Sequence, residues 1–323
     1  MRTCYWIAAS RVALATVASV FMGGTAHCAS ASATASAATV AASFYVLPVT
    51  DIAQINVGEI SGLAWDADEQ LLYAVSDQGK VYHFRIRHDG QAIVSIQGVV
   101  AALLVDPETA EGQPQSGKRF NAEGLTVLHS SNGKRGDSEL VVALEENPPQ
   151  IARFSPPGSL LGKLPVPPPA NDRANYRKKN RGLESVAMHP AYGVITAPEA
   201  PLQGRPDALH TVYANGHAWS FARFTQDSRL KGIEVLPDGN LLVLERSRSG
   251  NAKGAWVASL RRVDIAGCDA PATCNAVLLA ALPAGPENFE ALTLLGAHHA
   301  LIASDNGGAA AASRTTFALI VLP

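Results

Sequence analysis

Positive charge is not in excess in this sequence. Twenty-six Lys and Arg face 28 Asp and Glu, for a net charge of −2. A nucleic-acid protein needs a basic face to neutralise phosphates, and this balance argues against one. Aromatic residues are scarce, at 6%. Aliphatic residues and alanine must therefore supply the core. No segment keeps a helical period, which sets aside a bundle or an α/β layer fold. There is no G-x-S-x-G elbow, no H-E-x-x-H and no complete calcium loop. "GEISG" places Ser61 one position off the elbow pattern, and "DADEQL" lacks the glycine and terminal glutamate of a calcium loop. Of the histidines, His83, His129, His189, His210, His298 and His299, none recurs in a repeat. His298 and His299 read as turn residues.

Apolar runs are short except at the N-terminus. Arg2 and Arg11 precede "VALATVASVFMGG", and small residues follow up to Ala26 and Ala31. This is the pattern of an export signal over residues 1–31. The run is short for a membrane anchor, so no span is expected once it is removed. Residues 32–42, rich in Ala, Ser and Thr, read as a disordered leader. Residues 43–323 then form a single domain, periplasmic or secreted.

Cysteine is rare: four residues in 323. Cys4 leaves with the signal, and Cys28 lies close to the cleavage region. Cys268 and Cys274 in "CDAPATC" suit a local disulfide in an oxidising compartment. Two free thiols are the alternative; half a zinc site finds no second cysteine pair to complete it.

What is present is a repeat. "ISGLAWDADEQLLYAVSD", "AEGLTVLHSSNGKRGDSELVVALEE", "LESVAMHPAYGVITAPE", "IEVLPDGNLLVLER" and "FEALTLLGAHHALIASDN" each read as strand, turn, strand. The first strands align Ser61, Glu123, Glu184, Glu234 and Glu290. The second strands end on Asp77, Glu145, Glu199, Glu245 and Asp305. Spacings of 62, 61, 50 and 56 residues with only strand signals inside predict propeller blades. Two more strands follow each of the first four hairpins, such as "VYHFRIR" and "AIVSIQGVV". The fifth hairpin has only "TTFALIVLP" after it. "SFYVLPV", residues 43–49, is left to supply the missing outer strand. The expectation is an all-β propeller of five four-stranded blades, closed by its terminal strands. A degenerate sixth blade between residues 80 and 120 and a β-sandwich are the competing readings.

In an antiparallel hairpin the start of the first strand lies beside the end of the second. The repeated acids therefore gather on one face, around the channel mouth, with Glu59 nearby. Converging carboxylates repel, and burial penalises their charge. Protonation, basic partners or a bound cation must offset this. Arg181, Lys231 and Arg246 are the nearby bases. A hard cation such as Ca²⁺, which accepts six to eight oxygens in irregular geometry, is the other candidate. The bland alternative is that the acids only cap strand ends.

"NAEGL", "RGLES", "KGIE", "NFEAL", "ASDN" and "ISGLAWD" together resemble the phytase-like family, also described as "esterase-like activity of phytase". The resemblance runs from about residue 55 to the C-terminus. It implies an exported propeller with an acidic, calcium-binding centre and hydrolysis of phosphoesters or esters. Glu184, Glu234, Arg181 and Lys231 become the candidate catalytic residues. The metal candidates are Asp77, Glu123, Glu145, Glu184, Glu199, Glu234, Glu245, Glu290 and Asp305. Ser185, Val235 and Ala291 stand where the pattern has the glycine seen at Gly124. Arg173, Arg177, Lys178 and Lys179, with Arg181, either attract a small anionic or ester substrate or form a solvated loop. The alternative to a hydrolase is a non-catalytic propeller that binds a peptide, glycan or envelope partner and keeps a structural cation.

Overall fold

The structure is a computed structural model that describes residues 42–48, 51–108, 120–178, 181–250, 255–268, 272–306 and 314–323. The expected export signal, Cys28, Lys179 and most of the expected leader lie outside these residues. The last leader residue, Ala42, instead opens a strand.

Every blade begins with the hairpin read from the sequence. β1 (Ala42–Val46) is followed by the small hairpin of β2 (Asp51–Ile52) and β3 (Ile55–Asn56). Blade one is β4 (Ile60–Asp66), β5 (Leu71–Ser76), β6 (Lys80–His88) and β7 (Ile93–Leu103). Blade two is β8 (Ala122–Leu128), β9 (Glu139–Leu144), β10 (Gln150–Phe154) and β11 (Leu160–Leu164). A short 3₁₀ turn, Arg173–Asn175, precedes blade three: β12 (Leu183–His189), β13 (Gly193–Pro198), β14 (Leu209–Ala214) and β15 (His217–Ala222). Blade four is β16 (Arg229–Val235), β17 (Leu241–Arg248), β18 (Trp256–Val263) and, after the short β19 (Thr273–Cys274), β20 (Ala276–Ala281). Blade five is β21 (Asn288–Leu294), β22 (His299–Asp305), β23 (Thr316–Val321) and β1.

β1 runs antiparallel to β23, with Ala42 opposite Ile320 and Val46 opposite Thr316. The first strand thus completes the last blade, and the expected five-bladed closure stands. Among the described residues no sixth blade forms. No helix there is long and apolar enough to cross a membrane.

The inner strands β4, β8, β12, β16 and β21 contact one another in a closed ring. Middle strands are buried on both faces and read as nearly continuous apolar runs, as in "ELVVAL" of β9. Outer strands alternate, as in β11. Each of five apolar clusters sits between two neighbouring blades. Packing between blades, rather than one central core, therefore holds the ring.

The disulfide joins Cys268 to Cys274, with Cα atoms 5.5 Å apart. Its loop leaves blade four and lays β19 parallel to the outer strand of blade three, Ser220 opposite Thr273 and Phe221 opposite Cys274. Blade three consequently has five strands. This strap carries no sequence signal, because two residues are too few for a period.

Candidate functional site

All five inner strands carry a β-bulge near their start. The register shifts between Ile60 and Gly62, Ala122 and Gly124, Leu183 and Ser185, Leu230 and Gly232, and Phe289 and Ala291. The bulged residues are Ser61, Glu123, Glu184, Lys231 and Glu290. A bulge re-aims the side chain it carries, and such features gather at functional rims.

The residue after each bulge is small, because neighbouring inner strands come into direct contact there. A Cβ on Gly124 would lie 2.6 Å from Ser185 Cα, and one on Gly232 would lie 2.7 Å from Leu292 Cβ. Blade four therefore retains its glycine at Gly232; Val235 does not occupy that position. Below these small residues, Leu63, Leu125, Val186, Ile233 and Leu292 close the throat around a cavity of about 10 Å³, room for one water. The mouth is a cup with an apolar floor.

The second-strand positions are Asp77, Glu145, Glu199, Arg246 and Asp305. Asp77 N donates to Glu59 O, Glu145 N to Asn121 O and Glu199 N to Gly182 O. Arg246 lies opposite Arg229, and Asp305 opposite Asn288. Gly182 has no side chain for a reason: a Cβ there would sit 2.4 Å from Glu145 Cγ.

Two expected members of the ring lie elsewhere. Glu234 is three residues past the bulge and pairs with Leu242. Burial lifts its carboxyl to about 7, while hydrogen bonds from Thr293 and the Leu294 and Val235 backbone work against the rise. Glu245 is one residue short of the ring position and fully buried. It accepts from Phe224 N at 2.8 Å, Ser228 Oγ at 2.6 Å and Arg261 Nη1 at 2.8 Å, and it lies 3.3 Å from His210 Nε2. Burial favours its neutral form, but His210, Phe224 N and Ser228 outweigh this and hold the carboxyl down at about 2. This serine–histidine–glutamate group is sealed within the blades. Its serine donates to the glutamate, so it is a structural network and not a triad.

Blade four thus places cations where its neighbours place acids. Lys231 is 5% exposed. Its ammonium donates to Glu184 Oε1 and lies 3.2 Å from Glu199 Oε1 and 3.1 Å from Glu290 Oε2. Burial opposes the charge, but Glu184 and Glu290 more than offset it and raise the lysine above its ordinary value. Arg246 pairs with Glu290 and lies 3.5 Å from Glu199. Arg181 and Arg229 approach Glu199 only to 3.9 and 4.0 Å. Neither guanidinium makes a hydrogen bond among the described residues. Burial and the neighbouring Arg181, Arg223 and Arg246 all act against the charge on Arg229. Of the other basic candidates, Arg177 pairs with Asp207, Arg173 donates to the Lys178 carbonyl, and Lys178 is exposed on the loop before blade three.

The neighbouring blades supply acids to the same cup. Carboxylate oxygens of Glu123, Glu184 and Glu290 lie within 4.8 Å of one another and can chelate a divalent cation. Burial and Glu184 push the Glu123 carboxyl well up. Burial, then Glu59, Asp305 and Glu290, raise Asp77 to about 7. Buried oxygens Asp77 Oδ1 and Glu145 Oε1 have no hydrogen-bond partner. An all-oxygen carboxylate donor set with uncommitted oxygens beside it fits a hard cation such as calcium or magnesium. Ser61 is not a nucleophile in this arrangement, since its hydroxyl donates to Ala122 O at 2.5 Å.

Two solved structures are similar to the chain at low identity. The Dos1 propeller matches with 13% identity over 81% of this chain and 68% of that one, TM-score 0.34. A streptogramin B lyase matches with 9% identity over 86% of this chain and 97% of that one, TM-score 0.36. No curated protein matches the sequence significantly. The family model described as "Phytase-like: Esterase-like activity of phytase" matches residues 55–308, from the strand before the first ring position to the end of the last hairpin. With well over half its length matched and the acidic cup in place, the chain belongs to the phytase-like family.

Proposed function

We propose that this protein is an exported hydrolase of anionic esters, phosphoesters foremost, that works with a divalent cation, calcium by preference. One observation carries the reading. Clustered carboxylates from blades two, three and five, Glu123, Glu184 and Glu290, share one cup with Lys231, Arg229 and Arg246 of blade four and Arg181 beside blade three. Arg181 and Arg229 have guanidinium N–H groups free to take an anionic oxygen in charge-assisted hydrogen bonds. Glu123, Glu184 and Glu290 would hold the cation, with Asp77 and Glu145 beside them. A bound calcium supplies positive charge to a phosphoryl or carbonyl oxygen and activates water. Asp77, beside the cluster and with one carboxylate oxygen uncommitted, is placed to accept a proton from water. The floor of Leu63, Leu125, Val186, Ile233 and Leu292 narrows the throat beneath the cup to room for about one water. The N-terminal signal pattern and the disulfide support the exported location.

The test is hydrolysis of p-nitrophenyl phosphate and p-nitrophenyl acetate in calcium and in chelator, with metal content measured on the same protein. Turnover that needs calcium is the expected result. No turnover and no bound cation overturns the reading. Bound calcium without turnover moves the protein to the second reading, a ligand-binding propeller. That reading is favoured by the absence of any hydroxyl or thiol nucleophile paired with a base among the described residues of the cup.

A further inference from the structure

Blade four breaks the acid pattern in one direction only. Its bulge residue, its second-strand residue and the residue opposite that one are Lys231, Arg246 and Arg229. The corresponding residues of blade one are Ser61, Asp77 and Glu59. At two of these positions the charge is inverted, and at the bulge a cation stands where blade one has a serine.

Lys231 engages two of the three chelating carboxylates, Glu184 and Glu290, and takes Glu199 as a third partner. Its position is imposed by the fold. The bulge aims it into the cup, and Gly232 beside it is locked against Leu292. The uncommitted donors belong to the neighbouring blades: Asp77 Oδ1 in blade one and Glu145 Oε1 in blade two. A second observation points to a ligand at the same place. The Ser185 hydroxyl, 2% exposed, has no partner and lines the small throat cavity together with Lys231. Buried hydroxyls are normally satisfied by protein or water, and the throat cavity gives this one room for a single water or ligand atom next to Lys231.

We infer that Lys231 is a tethered counter-ion, built into the ring in place of a metal, that weakens divalent-cation binding at Glu123, Glu184 and Glu290. The inference rests on the cation reading above. An incoming dication meets a buried positive charge within a few ångströms, where screening by salt is weak. It must also compete for oxygens that the ammonium already holds. The ring is therefore neutral enough to fold without metal, and the cation binds reversibly.

The experiment compares the wild type, Lys231→Met and Lys231→Arg. Calcium affinity is read by calorimetry, and the melting temperature is read in calcium and in EDTA. Lys231→Met should bind calcium at least about tenfold more tightly than the wild type. Its melting temperature should fall in EDTA and be restored by calcium. Lys231→Arg should melt like the wild type in each condition, both gaining less from calcium than Lys231→Met. Equal affinities in wild type and Lys231→Met overturn the inference and leave the cation reading standing. No binding by either protein overturns both. If Lys231→Met does not fold in calcium, the ¹⁵Nζ resonance of Lys231 in the wild type decides. A shift on calcium titration supports the inference, and an unmoved resonance at concentrations that bind calcium overturns it.

Discussion

Lys231 and Glu184 occupy the same bulge position in adjacent blades and form an ion pair with each other across the seam. The pair couples blade three to blade four at the cup, where apolar packing has ended. Glu184→Gln removes one negative partner but leaves Lys231 with Glu199 and Glu290. The expected loss is no more than ~3 kcal/mol, the low end for breaking a buried pair. Urea unfolding in chelator measures it. The same variant should reduce the stabilisation that calcium gives.

Gly124→Ala is the sharpest packing test. The new methyl group meets Ser185 Cα and the Glu184 carbonyl, which are backbone atoms and cannot rotate away. Separating two inner strands should cost about 1–3 kcal/mol. Gly133→Ala has open space but a positive φ of 80°, so it reports strain without a clash. A smaller melting shift in Gly124→Ala than in Gly133→Ala would contradict the contact ring.

Stability should fall as pH rises toward neutrality, and Glu234 is one cause. Its folded carboxyl titrates near 7, well above its unfolded value. Between those values the unfolded chain releases a proton that the folded chain keeps, so ionisation favours unfolding. The contribution is complete below the unfolded value and is lost as pH passes through about 7. Glu234→Gln should flatten the fall between pH 4.5 and 7, followed as melting temperature against pH. Glu245 has the opposite sign: its carboxyl is held at about 2, so its contribution holds above the unfolded value and is lost only in strong acid.

Replacing both Cys268 and Cys274 with serine should cost ~2 kcal/mol or less, since the closed loop is short. The loss should be local. Amide exchange should accelerate at β19 and along β15, while the inner strands keep their protection.

Arg229→Ala should raise KM for an anionic ester at least about tenfold and leave the melting temperature nearly unchanged. The guanidinium only approaches Glu199 and makes no hydrogen bond among the described residues. An unchanged KM would remove Arg229 from substrate binding.

The blades were legible because each hairpin carries a period and a turn, and the leftover strand near residue 43 had one place to go. The register of blade four was not legible from a search for acids. Glu234 and Glu245 are both acidic and both close to the right place, so they filled the pattern in place of Lys231 and Arg246. The better signal is steric. "ISGL", "AEGL", "LESV", "LKGI" and "FEAL" share an apolar or small residue, a variable one, a small one and an apolar one. The small residue marks where inner strands touch, and the variable residue before it is the one that faces the cup. Geometry constrains the small position, whereas chemistry is free to change the sign of the variable one.

Pairing β1 with β23 also sets an order of events. The ribosome makes β1 first and β23 last, and neither has its native neighbour until the other exists. Four blades can form along the growing chain, each from its own consecutive strands. The fifth needs both, so the seam between blade five and blade one stays open until synthesis reaches Val321. A chain halted before that residue holds all five inner hairpins, four acidic and one basic, but lacks the strand that pairs with β1 and closes the fifth blade.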